Sequence, residues 1–402
     1  MMAFFKSINR CDFVVIGWIL YMLMEAGVFI PYINYAQSIL LRILIFISFY
    51  HFLRVIFTSK SKLPIYMKGL NALVCLFSVY GFLFILLDNH YVVRYTGLEV
   101  NRFSYLMNIY SSLLPIYTFY LYSQYNYINI RKINFWTVGF TLSAVLLFFA
   151  YRSQVLLHTR AVDITNNAGY FLVSVIPILA LSNLKQFVRF VLLGICIFFV
   201  VSSFKKGAII TGTVAAAMFL YHSVESVSKQ KRILYIVFAV ILVYLFYDYL
   251  YNLFLDNDYF NSRIEQFFVE RNAGERENLY STFYNFFLSQ DNIINILLGN
   301  GAYYTLQISD NFAHNDWLEI AVGQGLLGLI VYVYYWIATY RMAVKSNLPS
   351  NKSFAMLLIF VIYLLKTMFS MSYDAMNIFS TYVIGYCVCQ INFNYGCRSE
   401  KE

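Results

Sequence analysis

The sequence predicts an all-α fold: a polytopic membrane bundle of about twelve helices with one large outer loop that carries short amphipathic helices. Three observations predict it. Sixty per cent of the 402 residues are hydrophobic and only 12% are charged, well outside the range of a soluble domain. Apolar runs long enough to cross about 30 Å of hydrocarbon recur along the chain. Between them only one long stretch, 253–314, is polar.

The apolar runs fall near 12–30, 37–57, 68–87, 104–123, 134–151, 169–183, 187–203, 207–222, 232–252, 315–338, 354–370 and 376–392. Most come close to the roughly 20 residues that one helical crossing needs, and the run at 169–183 is the shortest. Lys and Arg set the orientation, because positive loops are retained in the cytoplasm. With the N-terminus inside, seventeen of the 29 basic residues lie on the inner side and nine on the outer, and both termini are cytoplasmic. The chain then divides into nine spans over 1–252, an outer loop over 253–314, and three spans with a cytoplasmic tail over 315–402.

A net charge of +9 is in this setting mostly the retention signal, and nucleic acid is not an expected partner. Six cysteines lie within spans or on the inner side, so no disulfide is expected, and Cys387-x-Cys389 inside an apolar helix makes a poor metal site. The first apolar run is too long for a signal-peptide core and is expected to stay as a span.

Residues 1–151 read as scaffold, five spans on short loops. Glu25, an isolated acid in the first span, is either a buried functional carboxylate or an interfacial one. Arg42, Arg54 and Lys366 lie inside spans and are expected to snorkel to the membrane boundary. The loop 152–168 brings Arg160 and the Asn166-Asn167 pair to the outer side. Lys205 and Lys206 follow at the next outer turn, against the retention rule, and suit either an anionic ligand or lipid headgroups.

In the 253–314 stretch charges alternate with aromatic residues at helical spacing, which predicts amphipathic helices on the membrane or over a cavity. Gly274 breaks the pattern, and a second helix begins near Arg276 with Tyr280, Phe283, Phe287 and Leu288 on one face. Leu298 to Gly301 reads as a turn back to the membrane. Gly323-x-Gly325-x-x-Gly328 has dinucleotide-binding spacing, but no strand precedes it, and close helix packing on small residues explains it better.

The organising stretch is Asp310 to Gly328, where His314, Asn315, Asp316 and Glu319 crowd the entry to an apolar helix. Unpaired amides at a helix start disfavour imidazolium, so His314 is expected to be neutral and able to accept a proton. It serves either as a general base or as an interfacial cap. Around it the outer inventory is Arg160, Lys205, Lys206, Arg263, Arg271 and Arg276, from separate loops. Arg forks and Lys point charges suit a pyrophosphate held at the membrane boundary, and the natural ligand is a lipid-linked pyrophosphate with its tail in the bilayer. Cations that stabilise a departing diphosphate make a metal optional, no carboxylate cluster stands out as a metal site, and neither a metal nor another cofactor is expected.

These residues resemble the bacterial O-antigen polymerase and O-antigen ligase family. The likeness is carried by His314-Asn315-x-x-Leu318-Glu319 opening a glycine-containing span, Gly274-x-Arg276-x-x-x-Tyr280, Gly299-Asn300-Gly301 between them, and Lys206-Gly207-Ala208. Arg263, separated from Gly274 by ten residues, also resembles the Arg-x10-Gly pattern of the polymerases. The resemblance spans about 150–340. It implies a membrane glycosyltransferase at the periplasmic face of the inner membrane, acting on undecaprenyl-diphosphate-linked oligosaccharides. It further implies His314 and Arg276 as catalytic residues, with His314 as the base. Lys206 would hold the diphosphate with Arg276, and Arg160, Arg263, Asn315 and Lys205 would also bind substrate. The family usually carries arginine where this chain has Lys206, which removes bidentate phosphate binding at that position. The reading is a surface-polysaccharide polymerase that joins repeat units. The alternatives are a ligase that moves polymer to lipid A core and a flippase of lipid-linked oligosaccharides. Membrane lipids are the further expected partners, and whether a chain-length regulator also binds is left open.

Overall fold

The computed structural model describes residues 9–27, 34–58, 63–93, 98–158, 166–225, 275–345, 348, 350–371, 373 and 376–399. Arg160, Arg263, Arg271 and the predicted span at 232–252 lie outside the described residues. What is described is mostly helix. In chain order the elements are α1 (Arg10–Glu25), α2 (Asn34–Thr58), α3 (Ile65–Leu86), β1 (Tyr91–Val93), β2 (Leu98–Val100), α4 (Ser104–Leu113), α5 (Pro115–Gln124), α6 (Ile130–His158), α7 (Gly169–Val173), α8 (Ile176–Leu181), α9 (Gln186–Val201), α10 (Lys206–Glu225), α11 (Glu275–Leu288), α12 (Ile293–Leu298), α13 (Thr305–Ser309), α14 (Asp316–Lys345), α15 (Ser350–Phe369) and α16 (Ile378–Ser399).

Among the described residues five helices are long and apolar enough to cross a membrane, namely Tyr35–Thr58, Ile65–Leu86, Ile130–Ser153, Asp316–Val344 and Ser350–Met368. Their outer surfaces fit hydrocarbon. Phe46, Leu142, Phe149 and Ile330 stand more than half exposed on these helices, a pattern that water would penalise and lipid accepts. The interior is filled with aromatic rings, including fully buried Tyr66, Tyr105, Tyr117, Phe77 and Phe119.

Three departures from the sequence reading have local causes. The predicted span 104–123 is two helices, α4 and α5, that meet at Leu114, where Pro115 takes the first position of the second helix. The apolar run at 169–183 is likewise two short helices, with Pro177 in the first turn of α8. Before α4 the chain forms an antiparallel hairpin, β1 on β2 with Tyr91 opposite Val100, which an all-α reading does not include. An exposed Arg102–Asp88 ion pair of 3.3 Å sits beside it.

One buried polar bolt sits where α1 and α6 begin. Asp12, 3% exposed, accepts from the Lys132 ammonium and from Trp136 Nε1 at 2.9 Å, which ties α1 to α6. A buried charge of this kind is tolerable only when paired and hydrogen-bonded. α3 packs along α14, α14 along α15, and α5 along α16, so the C-terminal helices tie into the N-terminal ones.

Candidate functional site

The chain from Leu298 to Gln324 folds back into the bundle and presents His314. α14 is not continuous: Gly325 has φ 63° and ψ −157°, so the helix is two segments meeting there. The turn at 299–301 satisfies the broken end. Asn300 N donates to Val322 O at 3.0 Å and Gly301 N to Gly323 O at 2.9 Å. Gly323 and Gly325 therefore do serve close packing, Gly323 against the backbone of this turn and Gly325 against Gly299 N and the carbonyls of Ile296 and Leu297 in the last turn of α12. Side-chain bonds anchor the break to α4, with Gln324 Nε2 donating to Tyr105 Oη at 3.2 Å and Asn108 Nδ2 to Tyr303 Oη at 2.9 Å.

His314 stands just before the first segment with φ 50°, a left-handed conformation that costs a non-glycine residue about 1 kcal/mol or more. Its neighbours hold it there. Asn315 caps the helix, its Oδ1 accepting from Trp317 N at 2.9 Å and Leu318 N at 3.2 Å. Glu319, 1% exposed, accepts from Ala313 N at 3.0 Å and from Thr305 Oγ1 at 2.7 Å. Tyr280 Oη lies within donating distance of two carbonyls, Met368 O at 3.1 Å and His314 O at 3.3 Å. Asn315 and Glu319 thus shape the loop, and neither lines the cavity described next.

Arg276 comes from α11, described over Glu275–Leu288. Its buried face differs from the expected one. Phe283 is fully buried against Ala313 and Val322, with Leu279 and Phe286 beside it, whereas Leu288 is 62% exposed. Burial at 279, 283 and 286 follows the 3.6-residue period and turns Arg276, one turn earlier, toward the His314 loop.

The third contribution is the turn between α9 and α10. Asn166 N donates to Ser203 O at 2.7 Å, Lys205 N to Ser203 Oγ at 3.3 Å, and Phe204 takes φ 51°. That turn points Lys205 inward. Lys206, the residue the resemblance placed on the diphosphate, is exposed at the first position of α10 and is not part of the cavity wall.

Lys205, Arg276 and His314 line one cavity of about 400 Å3. Lys366 from α15 and Glu25 from the end of α1 line it too, and Asn108 and Ser111 of α4 add uncharged polar groups. Arg160 and Arg263 lie outside the described residues. Burial first, and then the positive charges of Arg276 and Lys205, hold the His314 imidazole down at about 4. Burial, followed by Arg276, lowers the Lys205 ammonium to about 8. His314 is therefore neutral near pH 7. The sequence argument reached a neutral imidazole from helix amides, whereas here burial and cations dominate.

Lys366 departs from the expectation that it snorkels to the membrane boundary: it is 6% exposed, with its ammonium 5.2 Å from the Tyr170 ring centre and 5.6 Å from that of Tyr363. An ionisable side chain inside an apolar span is a functional candidate by default, and that signal was present at 366 as at Glu25.

No protein-family model matches the chain, and no curated protein aligns with it.

Proposed function

We propose that the chain is a membrane glycosyltransferase that polymerises undecaprenyl-diphosphate-linked oligosaccharide repeats at the periplasmic face of the bacterial inner membrane. The observation that carries this reading is the single cavity in which Arg276, Lys205 and Lys366, from three elements, meet a neutral His314. The motif resemblance around His314, Arg276 and Gly299 to Gly301 supports it independently, and the Lys and Arg distribution agrees with a twelve-span reading in which both termini are cytoplasmic and these loops face outward.

The chemistry is one displacement. The acceptor sugar's hydroxyl attacks the anomeric carbon of the donor. The bond from that carbon to the diphosphate oxygen breaks, and its electron pair leaves with the diphosphate. The hydroxyl proton passes to His314, which becomes imidazolium. The departing lipid diphosphate carries one more negative charge than the donor did, and fixed cations stabilise that charge as it develops. Of the adjacent lysines, Lys205 takes the role the resemblance gave to Lys206.

Purified protein supplied with lipid-linked repeats should produce a ladder of longer glycans on the lipid. A ladder that forms only after lipid A core is added, as glycan on the core, indicates the ligase. Glycans of unchanged length in both cases point to export and overturn the reading.

The same assay predicts a bell-shaped pH profile. His314 works neutral, so kcat/KM rises as pH rises through about 4, and Lys205 works protonated, so it falls as pH rises through about 8. Bound diphosphate favours both cationic forms, so in kcat both limbs move to higher pH. An acid limb unaltered by His314→Asn would remove His314 from the proton transfer.

A further inference from the structure

Glu25, the isolated acid that the proposed displacement leaves unused, lines the cavity from the last residue of α1. Trp18, Tyr21 and Met22 line it as well, and spacings of three, four and seven residues from Trp18 put all four on one face of that helix. Tyr151 of α6 joins this wall. Tyr21 and Tyr151 lie within electrostatic reach of each other and of Glu25, and Tyr21 also shares a hydrogen bond with the Gln37 side chain of α2. Trp18 meets Tyr21 edge to face, their ring centres 5.9 Å apart.

The chemistry of this wall differs from that of the cations. The charges that act on His314 are those of Arg276 and Lys205, whereas the charge of Glu25 acts on Tyr21 and Tyr151. An ionised carboxylate repels phosphate and only accepts hydrogen bonds, so this wall suits a group rich in hydroxyl donors. The rings add flat apolar faces with polar tips, against which the C–H edges of a sugar ring pack. Two polar groups here are unmet. Among the described residues Glu25 makes no hydrogen bond or ion pair. Trp18 is 4% exposed, and its Nε1 has no hydrogen-bond partner, which at a cavity wall points to a ligand that carries oxygens.

We propose that Glu25, Tyr21 and Tyr151 form a sugar-binding subsite in the cavity, with the Glu25 carboxylate accepting hydrogen bonds from sugar hydroxyls. This rests on the glycosyltransferase reading. A sugar diphosphate carries both chemistries in one molecule, an anion for Arg276 and Lys205 and a polyhydroxyl ring for the wall of α1 and α6. The two walls therefore orient the substrate: the carboxylate turns the phosphates away and receives the glycan. The ring it holds belongs either to the donor or to the acceptor, since both are sugars.

The test measures binding of three probes to full-length protein in detergent: bare polyprenyl diphosphate, the same lipid carrying the cell's own oligosaccharide repeat, and that repeat released from the lipid. Wild type is expected to bind the lipid-linked repeat more tightly than the bare lipid. Glu25→Gln should weaken the lipid-linked repeat about tenfold, the loss of a charge-assisted hydrogen bond, and leave the bare lipid within about threefold or bind it more tightly. Tyr21→Leu, which removes a ring from the same wall, should reduce the preference in the same direction, and it decides by the same ratio if Glu25→Gln melts early. A parallel loss on the released repeat assigns the subsite to the acceptor, and a loss confined to the lipid-linked repeat assigns it to the donor. Equal losses on bare and sugar-bearing lipid, or none on either, overturn the subsite while the glycosyltransferase reading stands. A wild type with a normal melting transition that binds none of the three removes that reading and this inference together.

Discussion

His314→Asn is expected to lower kcat for glycan transfer by roughly a thousandfold while leaving the affinity for a lipid diphosphate within about threefold of wild type. Asparagine is the informative replacement because it tolerates the left-handed backbone that His314 adopts, φ 50°, yet cannot accept the proton. Arg276 and Lys205 keep their charges in this variant, so ground-state binding of the diphosphate persists. Arg276→Ala should behave differently. In the proposed reaction Arg276 would meet the diphosphate before and during bond cleavage, so its removal is expected to raise KM and lower kcat together. A His314→Asn enzyme with kcat within about tenfold of wild type would exclude His314 as the base, since positioned general bases contribute at least about a hundredfold. The contrast between the two variants separates a base from a charge clamp, and a merely structural histidine would not give it.

How legible the site was in the sequence depended on what sequence can encode. Long apolar helices such as α2, α3 and α6 follow from continuous hydropathy, which needs no knowledge of neighbours. Arg276 and His314 were legible as motif residues, and their convergence followed once both were assigned to the outer side. The choice between Lys205 and Lys206 was not legible. One step along a helix rotates a side chain by about 100°, and only the Ser203–Phe204 turn decides which lysine faces in. Lys366 was hidden for a related reason: the sequence places it in an apolar span but not on a face. The break at Gly325 was also hidden, because Gly-Gln-Gly within an apolar run reads as helix until the 299–301 turn is known to dock against it.

That break carries the second large expectation. Gly325→Ala is expected to destabilise the protein by about 3 kcal/mol or more, because two penalties fall on one methyl group. Its φ of 63° with ψ of −157° is accessible essentially to glycine alone, and a Cβ there would lie 2.5 Å from Gly299 N and 2.7 Å from the carbonyl oxygens of Ile296 and Leu297. Those atoms are backbone and cannot rotate away. Two other glycines separate the penalties. Gly301 has φ 112° but open space around a built Cβ, so Gly301→Ala should cost only the conformational part, about 1 to 2 kcal/mol. Gly194, in the interior of α9, has neither constraint, and Gly194→Ala should be neutral or stabilising by up to about 1 kcal/mol. Melting temperatures in one detergent should therefore fall in the order Gly194→Ala, Gly301→Ala, Gly325→Ala. A Gly325→Ala protein that melts with Gly194→Ala would mean that α14 runs through 325 unbroken. His314 would then no longer be delivered by a half-helix docked on the 299–301 turn, and its meeting with Arg276 and Lys205 would need another cause.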